Sequence, residues 1–164
     1  MFLVEEILTL RFKVAIFHPL HDRAYREMPE FLANIHAIVN GQNQDNRCIG
    51  SAFLTMITSY GHGEHDYRPQ LNNHLFNKRR LKQINYPVDI QDIPAVEDTM
   101  RMNVNVFSFY DDEGRARQPI YISKKTFKRS VDLLYWDEQY AWIKTFSVFM
   151  GDQSSHHKRS WCRR

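Results

Sequence analysis

The sequence holds only two cysteines, Cys48 and Cys162, among its 164 residues. Two thiols make no disulfide framework, and their scarcity points to a reducing, intracellular setting, cytoplasm or nucleus. No stretch approaches the ~20 consecutive apolar residues that a membrane-spanning helix needs, so no membrane partner is expected. The opening MFLVEEILTLRF places two acids where a secretory signal would carry an unbroken apolar run. A surplus of one charge is lacking too. Lys plus Arg number 22 against 19 Asp plus Glu, a net charge of +3, so nothing global demands a polyanionic partner. Clustered acids are scarce. The only compact run, Asp111-Asp112-Glu113, ends on Gly114 and reads as a hairpin turn. Two-metal nucleotidyl transfer needs clustered carboxylates on a far larger scaffold, which excludes polymerase activity in this chain. There is no internal repeat and no low-complexity segment.

What is present suffices for one core. Hydrophobic residues make up 43% and aromatics 13% of the chain. The reading is a single α+β domain over 1–150 and a basic tail over 151–164 that ends HHKRSWCRR. The centre of that domain is Asn43–Tyr60. A polar run leads to Cys48, after which Ile49, Ala52, Phe53, Met56 and Ile57 recur at helical spacing. Asp45 or Asn46 is a natural N-cap. Cys48 then stands in the first turn, where the helix dipole favours a thiolate. A nucleophile belongs there, and so does a small buried core residue.

The rest of the chain follows from periodicity. Leu8, Leu10, Phe12, Val14 and Ile16 alternate as a half-buried strand, closed by His18-Pro19. Pro29-Glu30-Phe31-Leu32 starts a short helical turn, and Ala37–Asn40 is a short strand. The region 59–82 holds a loop with His62, His65 and His74, then a polar helix over 72–82 carrying Lys78-Arg79-Arg80. Its histidines have no partner at a recognised ligand spacing, so no metal is expected. Asp92-Ile93-Pro94 opens an N-capped helix with Ile93, Val96 and Met100 on its apolar side. Period two then takes over. Strands are expected around Val104–Ser108, Pro119–Ile122, Ser130–Trp136 and Tyr140–Ile143, with a tight turn at Asp137-Glu138 and a closing run Phe146–Met150. Helix first and antiparallel sheet afterwards is an α+β order.

A thiol nucleophile needs a base within reach and a group that orients it. In a papain-type order the cysteine opens a helix and the histidine comes from the packed sheet. Here the corresponding place, after the Asp137-Glu138 turn, is Gln139, whose amide takes no proton at neutral pH.

Seven collinear segments resemble the N-terminal region of proteins from Polinton/Maverick-type self-synthesising transposons, which precedes a zinc finger and a family-B DNA polymerase. They are FHPLHDRAYREMPEFLA (17–33), VNGQNQDNRCIGSAFL (39–54), INYPVDIQDIPAVE (84–97), MNVNVFSFYDDEG (102–114), PIYISKK (119–125), SVDLLYWDEQYAWIK (130–144) and SHHKRSWCRR (155–164). That region in turn resembles, distantly, an ovarian-tumour-type (OTU) papain-like cysteine peptidase. The resemblance implies an N-terminal strand and a cysteine helix packed on a mostly antiparallel sheet. It makes Cys48, Gln139 and Thr145 the degenerate site positions, with Asp45, Asn46, Tyr140 and Trp142 around the pocket. Asp45-Asn46-Arg47-Cys48 is similar to the D-x-x-C helix start. Gln139-Tyr140 falls on the His-Tyr strand without the histidine, and Thr145 stands where the transposon proteins commonly carry Asn. The tail resembles the lead-in to a zinc finger whose first thiolate is Cys162. With the chain ending after WCRR, it reads as the remnant of a truncated finger, with no zinc expected.

The implied function is a non-catalytic papain-like module from a transposon replication protein, detached from its polymerase and without a cofactor. Its implied partners are a DNA polymerase or other replication proteins. An active peptidase or deubiquitinase using Cys48, with His62, His65 or His74 as base, is the second expectation. The third is a nucleic-acid-binding accessory module, through the basic tail, Lys78-Arg79-Arg80 and Lys124-Lys125-Lys128-Arg129.

Overall fold

The computed structural model describes residues 27–41, 43, 45–59, 80–109 and 117–151. Several expectations lie outside these residues: the strand over 8–16, the three loop histidines, most of the polar helix 72–82, the hairpin turn 111–114 and the tail from 152.

The described chain alternates helices and strands in the expected α+β order. Helix α1 spans Glu30–Ala33 after Pro29, and strand β1 is Ile38–Val39. Helix α2 is Cys48–Ser59. Two 3-10 turns, Arg80–Gln83 and Ile90–Asp92, precede helix α3, Ile93–Met100. Strands β2 (Asn103–Phe109), β3 (Arg117–Tyr121), β4 (Ser130–Trp136) and β5 (Gln139–Ile143) follow, then helix α4, Phe146–Phe149. The closing run is therefore helical. Thr145 leads into it in extended conformation, and Phe146 and Phe149 fall on one face at i, i+3.

The strands form one sheet in the order β1-β5-β4-β2-β3. Three pairings are antiparallel, but the central pair, β2 with β4, is parallel. The parallel pair arises because the chain leaves β3 and returns along the start of β2 before entering β4. Two amide side chains fasten that return. Asn103 donates from Nδ2 to the Phe127 carbonyl at 2.9 Å and accepts the Phe127 N–H at 3.0 Å. Asn105 accepts the Ser123 N–H at 3.2 Å and donates to the Asp132 carboxylate at 2.9 Å.

Both faces of the sheet are covered. On one face α2 and α3 pack on Val104, Val106, Val131, Leu133, Tyr140 and Trp142. On the other, Leu32 of α1 and Phe149 of α4 pack with Phe107, Leu134, Trp136, Ala141 and Ile143. Period-two alternation divides each strand between these two layers.

Helix α2 buries more than the apolar stripe. Every residue from Cys48 to Met56 is buried, Ser51 and Thr55 included. Thr55 satisfies its hydroxyl on the Ser51 carbonyl at 2.8 Å. That small polar side admits Gly41, where a Cβ would stand 3.0 Å from Thr55 Oγ1, so the chain leaving β1 lies directly on the helix. The start of α3 also differs from expectation. Asp92 does not cap the helix that follows it; its carboxylate accepts the Asp89 N–H at 3.4 Å, inside the preceding 3-10 turn.

Candidate functional site

Cys48 opens α2, as its sequence position predicts, but the local anchoring is not a simple cap. The Asp45 carboxylate accepts the Arg47 N–H at 3.0 Å, and that residue lies before the helix. It also accepts Arg47 Nε at 2.6 Å and pairs with the guanidinium at 2.5 Å. Asn43 donates to the Asp45 carbonyl. Arg47 in turn supplies the first helical acceptor, taking the Ser51 N–H at 2.9 Å. Asp45 thus shapes the loop into α2, while Asn46 is exposed.

The Cys48 side chain is 3% exposed and packs in the α2 layer with Tyr140 and Trp142. Its Sγ lies 3.9 Å from the Glu138 carbonyl oxygen, to which the thiol donates. The turn that presents this carbonyl has both residues in left-handed conformation, Asp137 at φ 44° and Glu138 at φ 62°. That is the backbone of a two-residue hairpin whose twist matches the strands it joins.

The start of α2 and the start of β5 therefore meet, as the sequence order implies. The side chains do not meet in the implied way. Tyr140 and Trp142 face α2, so alternation assigns Gln139, with Ala141 and Ile143, to the opposite layer. Gln139 is itself 1% exposed. Thr145 lies beyond the other end of β5, exposed, with its N–H donated to the Ala37 carbonyl at 3.3 Å. The strand alone separates the two positions by about 13 Å. Gln139 and Thr145 thus stand at opposite ends of β5, so the three positions are not gathered at one point. His36, the only histidine among the described residues, is exposed and adjoins Ala37 at this far end.

Comparison with family models, with curated proteins and with solved structures gives no match for this chain.

Two groups beside Cys48 escape sequence reasoning. Tyr86 is joined to Pro87 by a cis peptide bond, and its hydroxyl donates to the Leu81 carbonyl at 2.9 Å. Burial pushes its phenol well up; the Arg47 guanidinium opposes this, while Asp45 and Cys48 reinforce it. Next to it, the Val88 carbonyl accepts the Tyr140 hydroxyl at 3.2 Å. The dipeptide Tyr-Pro signals only extended backbone, so nothing local tells that this segment folds against the start of α2.

The chemistry of this corner follows from its parts. A carbonyl acceptor stabilises the protonated thiol, and burial penalises the thiolate. Among the described residues there is no imidazole at this end of β5 and no group of three His, Cys, Asp or Glu able to hold a metal. The same burial has a measurable consequence at high pH. Tyr121 is pushed up to about 12, first by desolvation and then by its hydrogen bond to Glu97, and Tyr86 moves the same way. Both phenols hold their protons more tightly folded than unfolded. Their contribution is complete below the unfolded value near ~10 and is lost as pH rises towards the native values. Unfolding free energy should therefore fall between about pH 10 and 12 in urea titrations, and Tyr121→Phe should flatten that fall.

Proposed function

We propose that this chain is a non-catalytic papain-like module, in which the cysteine of the D-x-x-C helix start serves the core. The carrying observation is the Cys48 sulfur, 3% exposed and turned to a backbone carbonyl. A nucleophile needs the reverse: access, a base and a thiolate-stabilising field. The order of cysteine helix, further helix and sheet supports the papain-like reading, as does the packing of α2 on the strand that follows the Asp137-Glu138 turn. The face on which Gln139 lies does not support a relic dyad, so in this reading Tyr140 is the residue of β5 that covers the sulfur. The collinear segments support descent from a transposon replication protein, detached from its family-B polymerase. Its partners would then be replication proteins.

The test uses the Cys162→Ser variant, in which Cys48 is the only thiol. Under native conditions a maleimide should label it only through local or global opening, at least ~100-fold slower than in denaturant. A ubiquitin-type activity probe should leave its mass unchanged. Rapid native adduct formation, abolished by Cys48→Ala, would establish an active cysteine peptidase instead. Cys48→Ala itself should cost only about 1 kcal/mol, because it removes one buried atom.

A further inference from the structure

Basic residues from three places in the sequence converge in space. A cleft of about 630 Å³ lies between the C-terminal end of α3 and the loop entering β4, and Arg80, Arg101, Lys128 and Arg129 are among its lining residues. All four cations are exposed, and among the described residues no carboxylate lines the cleft. Among the described residues none of them forms an ion pair. Lys125, by contrast, is held by Asp98 at 2.9 Å. The remaining lining is apolar, with Phe127 flanked by the two methionines that close α3 and enter β2.

Three features hold this arrangement in place. The Phe127 backbone is clamped at both its N–H and its carbonyl by the Asn103 amide, which fixes the loop that carries Lys128 and Arg129. The Arg101 guanidinium lies 6.0 Å from the Phe127 ring centroid, a cation–π contact. Arg101 is also the C-terminal cap of α3, in the left-handed region at φ 57°, with its N–H donated to the Glu97 carbonyl at 2.7 Å, which fixes where its side chain leaves the helix.

We propose that this cleft binds a single strand of nucleic acid. The cations take successive phosphates, and a base stacks against Phe127. An apolar aromatic wall inside a cationic rim fits a base with its phosphate better than it fits a bare anion, which would gain nothing from the ring. A duplex keeps its bases stacked on one another and offers only its backbone. The inference does not depend on the fate of Cys48 and stands or falls separately from it.

The experiment is fluorescence anisotropy with the full chain and labelled single strands of about 12 nucleotides, DNA and RNA of one sequence, at low salt. Binding is expected to weaken with salt, with a log–log slope that falls by about 0.7 for each cation removed. Arg129→Glu should weaken binding at least ~10-fold, and Phe127→Ala at least about five-fold. Arg101→Gly, whose backbone suits the left-handed position, guards against a folding artefact and should also weaken binding. Arg117→Glu, at the start of β3 and about 20 Å of strand away from Asn103, makes the same charge change and should leave affinity within about two-fold. The DNA and RNA arms decide which sugar is preferred. The proposal is overturned if Arg117→Glu weakens binding as much as Arg129→Glu. It is also overturned if a duplex of the same length binds as tightly, or if no strand binds at low salt.

Discussion

Replacing Glu97 by Ala should lower the unfolding free energy by about 3–5 kcal/mol. Glu97 is a charged residue on α3 with 0% exposure. One carboxylate oxygen accepts the Val104 N–H at 2.8 Å, and the other accepts the Tyr121 hydroxyl at 2.9 Å. A single side chain therefore ties α3 to β2 and β3. Truncation leaves a buried amide unsatisfied at the start of a central strand and strands a phenol, and it opens a void where the methylenes packed. Each orphaned donor costs about 1–3 kcal/mol. Glu97→Gln should cost much less, near 1 kcal/mol, since the amide oxygen can still accept one N–H and its NH2 can meet the phenol oxygen. Urea denaturation measures both. A midpoint for Glu97→Ala close to that of the parent would show that the network does not hold these three elements together. A double-mutant cycle between Glu97→Gln and Tyr121→Phe should return a coupling above ~0.5 kcal/mol, because the two groups share one hydrogen bond.

Phe53→Ala should be comparably severe, at about 3–5 kcal/mol. Phe53 is 0% exposed on a helix whose first nine residues are all buried, and it belongs to the larger of the two apolar layers. Sheet residues on one side and the chain at Gly41 on the other leave little room for collapse into the vacated space, so the cavity term is added to the lost transfer energy. Phe53→Leu, which keeps most of the volume, should recover more than half of the loss. The readout is the denaturant midpoint at unchanged slope, since the fold should be weakened but not loosened. Trp142, 6% exposed in the same layer and paired in register with Val39 and Leu133, should behave similarly when cut to Ala.

These two residues differ in how far the sequence announces them. Phe53 falls on a helical stripe that is visible in the order of letters. Glu97 reads as one more acid on an exposed helix face, and only the packing of α3 over β2 and β3 buries it. The strands divide in the same way. Their alternation marks β2, β4 and β5 to within a residue or two, and the Asp137-Glu138 turn follows from the break between two of them. The parallel pairing of β2 with β4 has no such mark, because strand order depends on the return of the 122–129 loop. The closing run 146–150 is too short for its period to separate helix from strand.

The candidate site was legible up to the same point. That a cysteine starts the buried helix follows from spacing; that this helix covers the strand beginning near Gln139 was an expectation taken from the papain-type order. Whether Gln139 meets the sulfur is a matter of parity: in a strand, one residue of register decides which layer a side chain enters, and Tyr140 holds the layer beside α2. Of the cleft's cations, Arg80, Lys128 and Arg129 were legible only as members of separate basic runs, and Arg101 belongs to none of them.

The sequence by itself determined the elements, the burial of α2 and the absence of an imidazole from the expected place. Side-chain spacing along a local backbone is enough for those, because helix and strand each repeat over a few residues. The tertiary structure alone decided that the thiol rests on a carbonyl, that an acid is locked inside, and that four cations face one cleft. Each of these joins segments distant along the chain, and no local period encodes which distant segment will arrive.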